Sequence, residues 1–163
     1  MEIYLVQHGE ALPEEKDPER GLSPEGEDNV RHTGKALSKL GIKPDLIISS
    51  PKKRSKQTAS IIAREVGYPE GRIEVSERLK PLAPPGETVE YLRQFSDRNS
   101  IILAGHLPSL AEVASFLLTE KGKARIKFVM GGVGRIDVLE LSTRKGILSW
   151  YLVPQQLRLI AGG

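Results

Sequence analysis

Cysteine is absent from the 163 residues, which removes a disulfide framework, a thiolate nucleophile and a thiolate-bound zinc from consideration. Aromatics make up only 5% of the chain, so no stacking platform for nucleic-acid bases is apparent. No apolar run approaches the ~20 residues that cross a bilayer. The apolar stretch at the start carries a charged residue at position 2 and ends early at His8, unlike a signal peptide. Neither sign of charge is in large excess, with 24 Lys and Arg against 21 Asp and Glu. A net +3 does not demand a polyanionic partner, and an anionic ligand would have to be held by a local basic cluster. These absences together lead us to expect a cytoplasmic protein with neither a membrane nor a nucleic-acid partner.

What is present is a core. Hydrophobic residues are 39% of the chain, enough for a folded domain at a length typical of one, and we expect a single domain over 1–163. No internal repeat or low-complexity tract interrupts it. The first strand, Glu2 to Gln7, runs directly into His8 and Gly9. Ala11 to Leu22 is a polar loop punctuated by proline. Ser23 and Pro24 mark a helix start as N-cap and first helical residue, with Gly41 closing the helix after about four turns. Asp45 to Ser49 is a short apolar strand, broken by Ser50-Pro51, and helical spacing from Lys53 to Val66 ends at Gly67.

Further along, Arg72 to Val75 reads as a short strand and Leu79 to Gly86 as a proline-rich loop. Glu87 to Phe95 reads as a helix, Ser100 to Ala104 as a third apolar strand ending at Gly105-His106, and Leu110 to Leu118 as a helix after Pro108. Arg125 to Met130, Gly134 to Leu141 and Gly146 to Val153 alternate like strands, the last two forming a hairpin. Pro154 to Gly163 reads as a tail, packed on the surface or mobile. The sum is an α/β fold: a mainly parallel sheet with helices on both faces and antiparallel strands at one side.

Three apolar strands thus run into residues suited to phosphate: Gln7-His8-Gly9, Ser49-Ser50-Pro51-Lys52-Lys53-Arg54, and Gly105-His106. If the strands are parallel, these ends converge on one edge of the sheet, where open α/β sheets bind ligands. The second and third lead into helices whose free N-terminal amides favour an anion. Taken singly, His8 is also explained as a polar strand cap, and Lys52, Lys53, Arg54 and Lys56 as a solvated basic patch.

The three motifs in this order resemble the histidine phosphatases, the phosphoglycerate mutase-like superfamily. Members carry Arg-His-Gly after the first strand, Ser-Pro-x-x-Arg-x-x-x-Thr-Ala after the second and a Gly-His pair later; here these are Gln7 to Gly9, Ser50 to Ala59, and Gly105-His106. Small size, Gln-His-Gly-Glu-Ala at the start, and the stretches Glu19 to Gly26 and Leu79 to Gly86 are most similar to the SixA-type phosphohistidine phosphatases. The resemblance implies a catalytic set of His8, Arg54 and His106. His8 would be the nucleophile that forms a phosphohistidine intermediate, Arg54 would hold phosphate oxygens, and His106 would donate to them. Gln7, Gly9 and Arg20 would complete the phosphate site, with no metal and no cofactor.

The partner it implies is a phosphorylated protein carrying phosphohistidine, or alternatively a small phosphate ester. The ester needs an acid for its alkoxide leaving group, and Glu77 and Glu87 lie in the relevant region but in no motif. The departure is Gln7, where the family has Arg. An amide keeps a donor at similar reach without the charge, so a cost on the order of 10²-fold in rate, or a module that recognises phosphate without turning it over, is the corresponding expectation. Oligomeric state is not set by the sequence, and a monomer is compatible with it.

Overall fold

The computed structural model describes residues 1–121 and 123–162. Six strands form one sheet: β1 (Glu2–Gln7), β2 (Leu46–Ser49), β3 (Glu74–Val75), β4 (Ser100–Gly105), β5 (Val133–Asp137) and β6 (Ile147–Leu152). Their order is β3-β2-β4-β1-β5-β6. The first four are mutually parallel, whereas β5 runs antiparallel to β1 and β6 antiparallel to β5. Five α-helices accompany the sheet: α1 (Pro24–Lys39), α2 (Lys53–Val66), α3 (Pro85–Leu92), α4 (Ser109–Leu118) and α5 (Pro154–Ala161).

The apolar strands bury both faces, as side chains alternate across a pleated sheet. Ile3 and Leu5 of β1, Leu46 and Ile48 of β2, and Ile101 and Leu103 of β4 join a core with Val89 and Leu92 of α3 and Val113 and Leu117 of α4. Their neighbours Tyr4, Val6, Ile47 and Ile102 join a second core with Val30 and Leu37 of α1, Ile62 of α2 and Leu157 of α5. The central strands therefore hold their register from two sides. That register sets Gln7 opposite Gly105 and Ser49 opposite Ala104, so His8, Ser50 and His106 leave the sheet at one edge. Backbone bonds continue the ladder one step beyond it, from His8 N to Gly105 O at 3.0 Å and from Ser50 N to Ala104 O at 3.0 Å.

The start of α1 is as its sequence dictates: Ser23 Oγ accepts from Gly26 N, Pro24 occupies the first turn, and Glu25 and Glu27 sit where the helix dipole favours acids. Five expectations are corrected. Arg125 to Met130 is not a strand, because both neighbours of β5 are already taken by β1 and β6. Its alternation has another source, since Phe128 turns into the core against Tyr151 while Val129 N donates to Tyr151 Oη at 2.9 Å. Pro154 to Gly162 is no tail, Gly163 of that expectation lying outside the described residues: Pro154 opens α5, Gly162 caps it in the left-handed conformation, and Leu157 is fully buried. Arg158 ties this helix to Asp28 and Asn29 of α1. The loop ascribed to Leu79–Gly86 ends sooner, because Pro85 serves as the first residue of α3, and the α-helix stops at Leu92 with Arg93–Phe95 as a 3-10 turn. Finally, the strand expected over Arg72 to Val75 is only Glu74–Val75, preceded by a 3-10 turn at Glu70–Arg72.

Candidate active site

His8 is half-buried at the end of β1, and its two ring nitrogens have different partners. Nδ1 lies 2.7 Å from Gly9 O, and Arg54 Nε donates to Nε2 at 3.2 Å. A guanidinium N–H can only donate, so Nε2 must accept, and the proton of the neutral ring sits on Nδ1. Burial lowers the His8 pKa below its ordinary value against the raising effect of the Gly9 carbonyl, and Arg54 and Arg20 lower it further. The result is a neutral imidazole with an oriented lone pair on Nε2 beside a fixed positive charge. Arg54, one residue into α2, is itself pushed down by burial and by the Arg20 charge.

Gly9 is where the chain turns away. A Cβ there would sit 2.7 Å from Val30 Cγ2 and 2.8 Å from Gly26 O, so α1 leaves room for glycine alone. Gly9 N donates to Thr58 Oγ1 at 3.1 Å, and Thr58 Oγ1 donates to Arg54 O at 2.8 Å. One threonine hydroxyl thus fixes the backbone beside His8 to the backbone of Arg54.

His106 lies across from His8, ring centroids 4.9 Å apart, and is 1% exposed. Its Nε2 sits between Ser50 Oγ at 2.8 Å and Ser55 Oγ at 3.1 Å. Its Nδ1, together with Oε1 of buried Gln7 and Oγ of buried Ser109, has no partner among the described residues. Burial, reinforced by His8, Arg54 and Lys52, pushes the His106 pKa down to about 3.

This has a consequence for stability. The unfolded chain takes up a proton at His106 as pH falls through about 6.5, and the native chain does not until about 3. Folding free energy is therefore lost on acidification across that window, on the order of 2 kcal/mol between pH 7 and pH 5, with His8 acting in the same direction. Urea midpoints at the two pH values should show the drop in wild type and a flatter dependence in His106→Gln. Equal wild-type midpoints would refute it.

Arg20 adds a further cation. It holds a left-handed backbone conformation, φ 51°, and shares a cleft of about 420 Å³ with Lys52 and Arg54. Lys53 is not part of a free basic patch, since it pairs with Asp17 at 2.9 Å and Glu19 at 3.7 Å. Glu77 and Glu87 are not brought to the site: Glu77 pairs with Lys80 and Glu87 with Arg78. Glu87 lines a separate groove beside α3, with Arg78, Glu90 and Tyr91. Among the described residues no group of three or more metal-ligating side chains is assembled, and no helix is long and apolar enough to cross a membrane.

The six residues singled out in the sequence, Gln7, His8, Gly9, Arg20, Arg54 and His106, are thus brought to one edge. Sequence reasoning quoted Ser50 and Thr58 only as motif residues and gave them and Ser55 no role; the three surround His106 and Gly9. The signal for two of them was periodicity: Ser55, Thr58, Ala59 and Ile62 occupy one face of α2 at helical spacing.

The family model of the Histidine phosphatase superfamily (branch 1) matches residues 3–83. The mitochondrial serine/threonine-protein phosphatase Pgam5 of Drosophila pseudoobscura pseudoobscura is 36% identical over 83 residues, half of this chain but 29% of that protein. This chain therefore spans less than a third of the length of that relative. An uncharacterised protein of Picosynechococcus sp. is 31% identical over 121 residues, 70% of this chain and 71% of its own. Among solved structures, the protein histidine phosphatase SixA complexed with tungstate superposes with a TM-score of 0.83 at 24% identity, over 96% of this chain and 99% of that one. By sequence match and by a shared phosphoglycerate mutase-like fold, this chain belongs to the histidine phosphatase superfamily.

Proposed function

We propose that the chain is a phosphohistidine phosphatase, removing phosphate from a phosphorylated histidine of a protein through a covalent intermediate on His8. The observation that carries this is the pair of bonds to His8, Nδ1 to Gly9 O and Arg54 Nε to Nε2. Burial and the arginine charges favour the neutral imidazole, and these two bonds put its lone pair on Nε2, where an arginine gathers phosphate oxygens. His8 Nε2 attacks phosphorus, the bond from phosphorus to the substrate imidazole breaks, and the departing nitrogen takes a proton from solvent. Water then attacks the phosphorylated His8, returning Nε2 and releasing inorganic phosphate. Arg54 moves from Nε2 to the phosphate oxygens as the phosphoryl group arrives. Gln7, Gly9, Arg20 and His106 supply the remaining contacts, and no step needs a metal. The solved SixA structure holds tungstate, another oxyanion, which accords with an oxyanion site in this fold.

The substrate class follows from leaving groups. Imidazole departs with little help, whereas an alkoxide needs a positioned acid worth about 10²-fold or more, and Glu77 and Glu87 are engaged elsewhere. A second reading, hydrolysis of phosphoserine or phosphothreonine, is favoured by the name of the Drosophila relative. Turnover of a phosphohistidine phosphotransfer domain and of a phosphoserine peptide should be compared at equal concentration. We expect the first to be preferred by about 10²-fold in kcat/KM. Equal or faster turnover of the phosphoserine peptide would replace our reading with the second. Tight binding of phosphoprotein without labelling of His8 would identify a recognition module in which Gln7 marks lost catalysis.

A further inference from the structure

Arg20 poses a physical problem. It lines one cleft with Arg54 and its positive charge lowers the pKa of both Arg54 and His8, so two like-charged guanidinium groups are held near one another. Its backbone also occupies the left-handed region, which costs a branched-chain or long residue of ordinary type roughly 1 kcal/mol or more. Something must hold it there.

The holder is a knot made by Asp17. One carboxylate oxygen, Oδ1, accepts from Glu19 N at 3.0 Å, and the other, Oδ2, accepts from Gly21 N at 2.8 Å. The two amides flank Arg20 on either side, and Arg20 N itself donates to Asp17 O at 2.8 Å. Oδ2 also receives Lys53 Nζ at 2.9 Å, and Lys53 is the first residue of α2, adjacent to Arg54. The next residues are tied to the same helix, since Leu22 N donates to Gln57 Oε1 at 2.7 Å. The far end of Arg20 is steadied by Nε donating to Leu12 O at 3.3 Å. The side chain of Asp17 is only 19% exposed, so these bonds are partly shielded from water.

We propose that Asp17 is a positioning residue for phosphate binding: by gripping the amides on both sides of Arg20 and the lysine next to Arg54, it fixes the spacing of the two arginines that receive the anion. This rests on the phosphatase reading, in which Arg20 and Arg54 contact phosphate. The sign of its effect separates it from simple electrostatics. Removing an acid beside an anion site should strengthen anion binding. Removing a positioning acid weakens it.

The test measures inorganic phosphate affinity by titration calorimetry for wild type, Asp17→Ala, Arg20→Ala and the double variant, with urea midpoints recorded for each. We expect Arg20→Ala to weaken binding about tenfold and Asp17→Ala about threefold to tenfold. The double variant should match Arg20→Ala within about twofold, because neighbours acting through one contact are not additive. Asp17→Asn keeps one acceptor oxygen and should fall between, which preserves the test if Asp17→Ala unfolds. Unchanged or tighter binding in Asp17→Ala and Asp17→Asn overturns the proposal, as does an equal loss from Asp17→Ala in the Arg20→Ala background. Absence of phosphate binding by the wild type would overturn the phosphatase reading, and the positioning role with it. An unaffected Arg20→Ala beside a binding wild type would overturn the positioning role alone.

Discussion

His8→Ala is expected to abolish turnover, by at least about 10⁴-fold, while leaving the fold and the phosphate site in place. The ring contributes two hydrogen bonds, to Gly9 O and from Arg54 Nε. It is not part of either hydrophobic core. Losing such bonds at a half-buried position should cost on the order of 1 kcal/mol of stability. Arg54 remains anchored through Thr58, and Thr58 still receives Gly9 N. Its guanidinium, released from Nε2, is free to meet an anion. The variant should therefore bind inorganic phosphate with near wild-type affinity, acquire no acid-labile phosphate when offered a phosphohistidine domain, and release none. Phosphorus NMR and radiolabel transfer check these outcomes separately. Turnover at the wild-type rate by His8→Ala would remove His8 from the mechanism.

The second large effect concerns a glycine that faces no substrate. Gly26→Ala should destabilise the protein by about 3 kcal/mol or more. A Cβ at position 26 would lie 2.1 Å from Glu10 O and 2.9 Å from Glu10 N, so the obstruction is backbone and cannot swing aside. The start of α1 is pinned there in three further ways: Ser23 N donates to Glu10 O at 2.9 Å, Ser23 Oγ donates to Glu10 Oε1 at 2.9 Å, and Gly26 N donates to Ser23 Oγ at 3.0 Å. Helix propensity alone predicts the opposite sign, since alanine is favoured over glycine by up to about 1 kcal/mol inside a helix. A lowered urea midpoint would establish that contact geometry wins. Because Glu10 follows Gly9 directly, any surviving folded population should also turn over more slowly. A Gly26→Ala protein as stable as wild type would show that α1 can slide off the His8 turn without penalty.

The central part of the fold is legible in the sequence because its signals are local. Ile47 and Ile48, or Ile101 to Leu103, are too apolar for any place but a sheet covered on both faces, and punctuation marks the neighbouring helices, Ser23 capping the start of α1 and left-handed Gly67 the end of α2. The site was legible for a related reason: a residue just past a parallel strand has few places to go, so His8, Ser50 and His106 were bound to meet once the strands were parallel. What failed was set by tertiary competition. Arg125 to Met130 has the alternation of a strand, but the sheet had no open edge beside β5 to receive it. In α5, the start and stop residues Pro154 and Gly162 were present in the sequence, yet only Leu157 and Ile160 mark the apolar face, and its partner α1 is more than a hundred residues away. The supporting roles of Ser50, Ser55 and Thr58 are not legible, because a small hydroxyl looks the same in sequence whether it caps, solvates or supports.

The register of β1 also bears on how such a chain can diverge. His8 is carried by a strand hydrogen-bonded on both sides, parallel to β4 and antiparallel to β5, whereas what surrounds it arrives on separate connections. Residues 11–22 bring Arg20, Pro81 reaches Ser109 N at the start of α4, and Gly131 donates to Gln7 O. Lengthening a surface connection costs only a fraction of a kcal/mol to about 1 kcal/mol in chain entropy, and none of these changes moves a strand. The reacting atom can therefore stay fixed while insertions and deletions in three independent places remodel what is admitted to it.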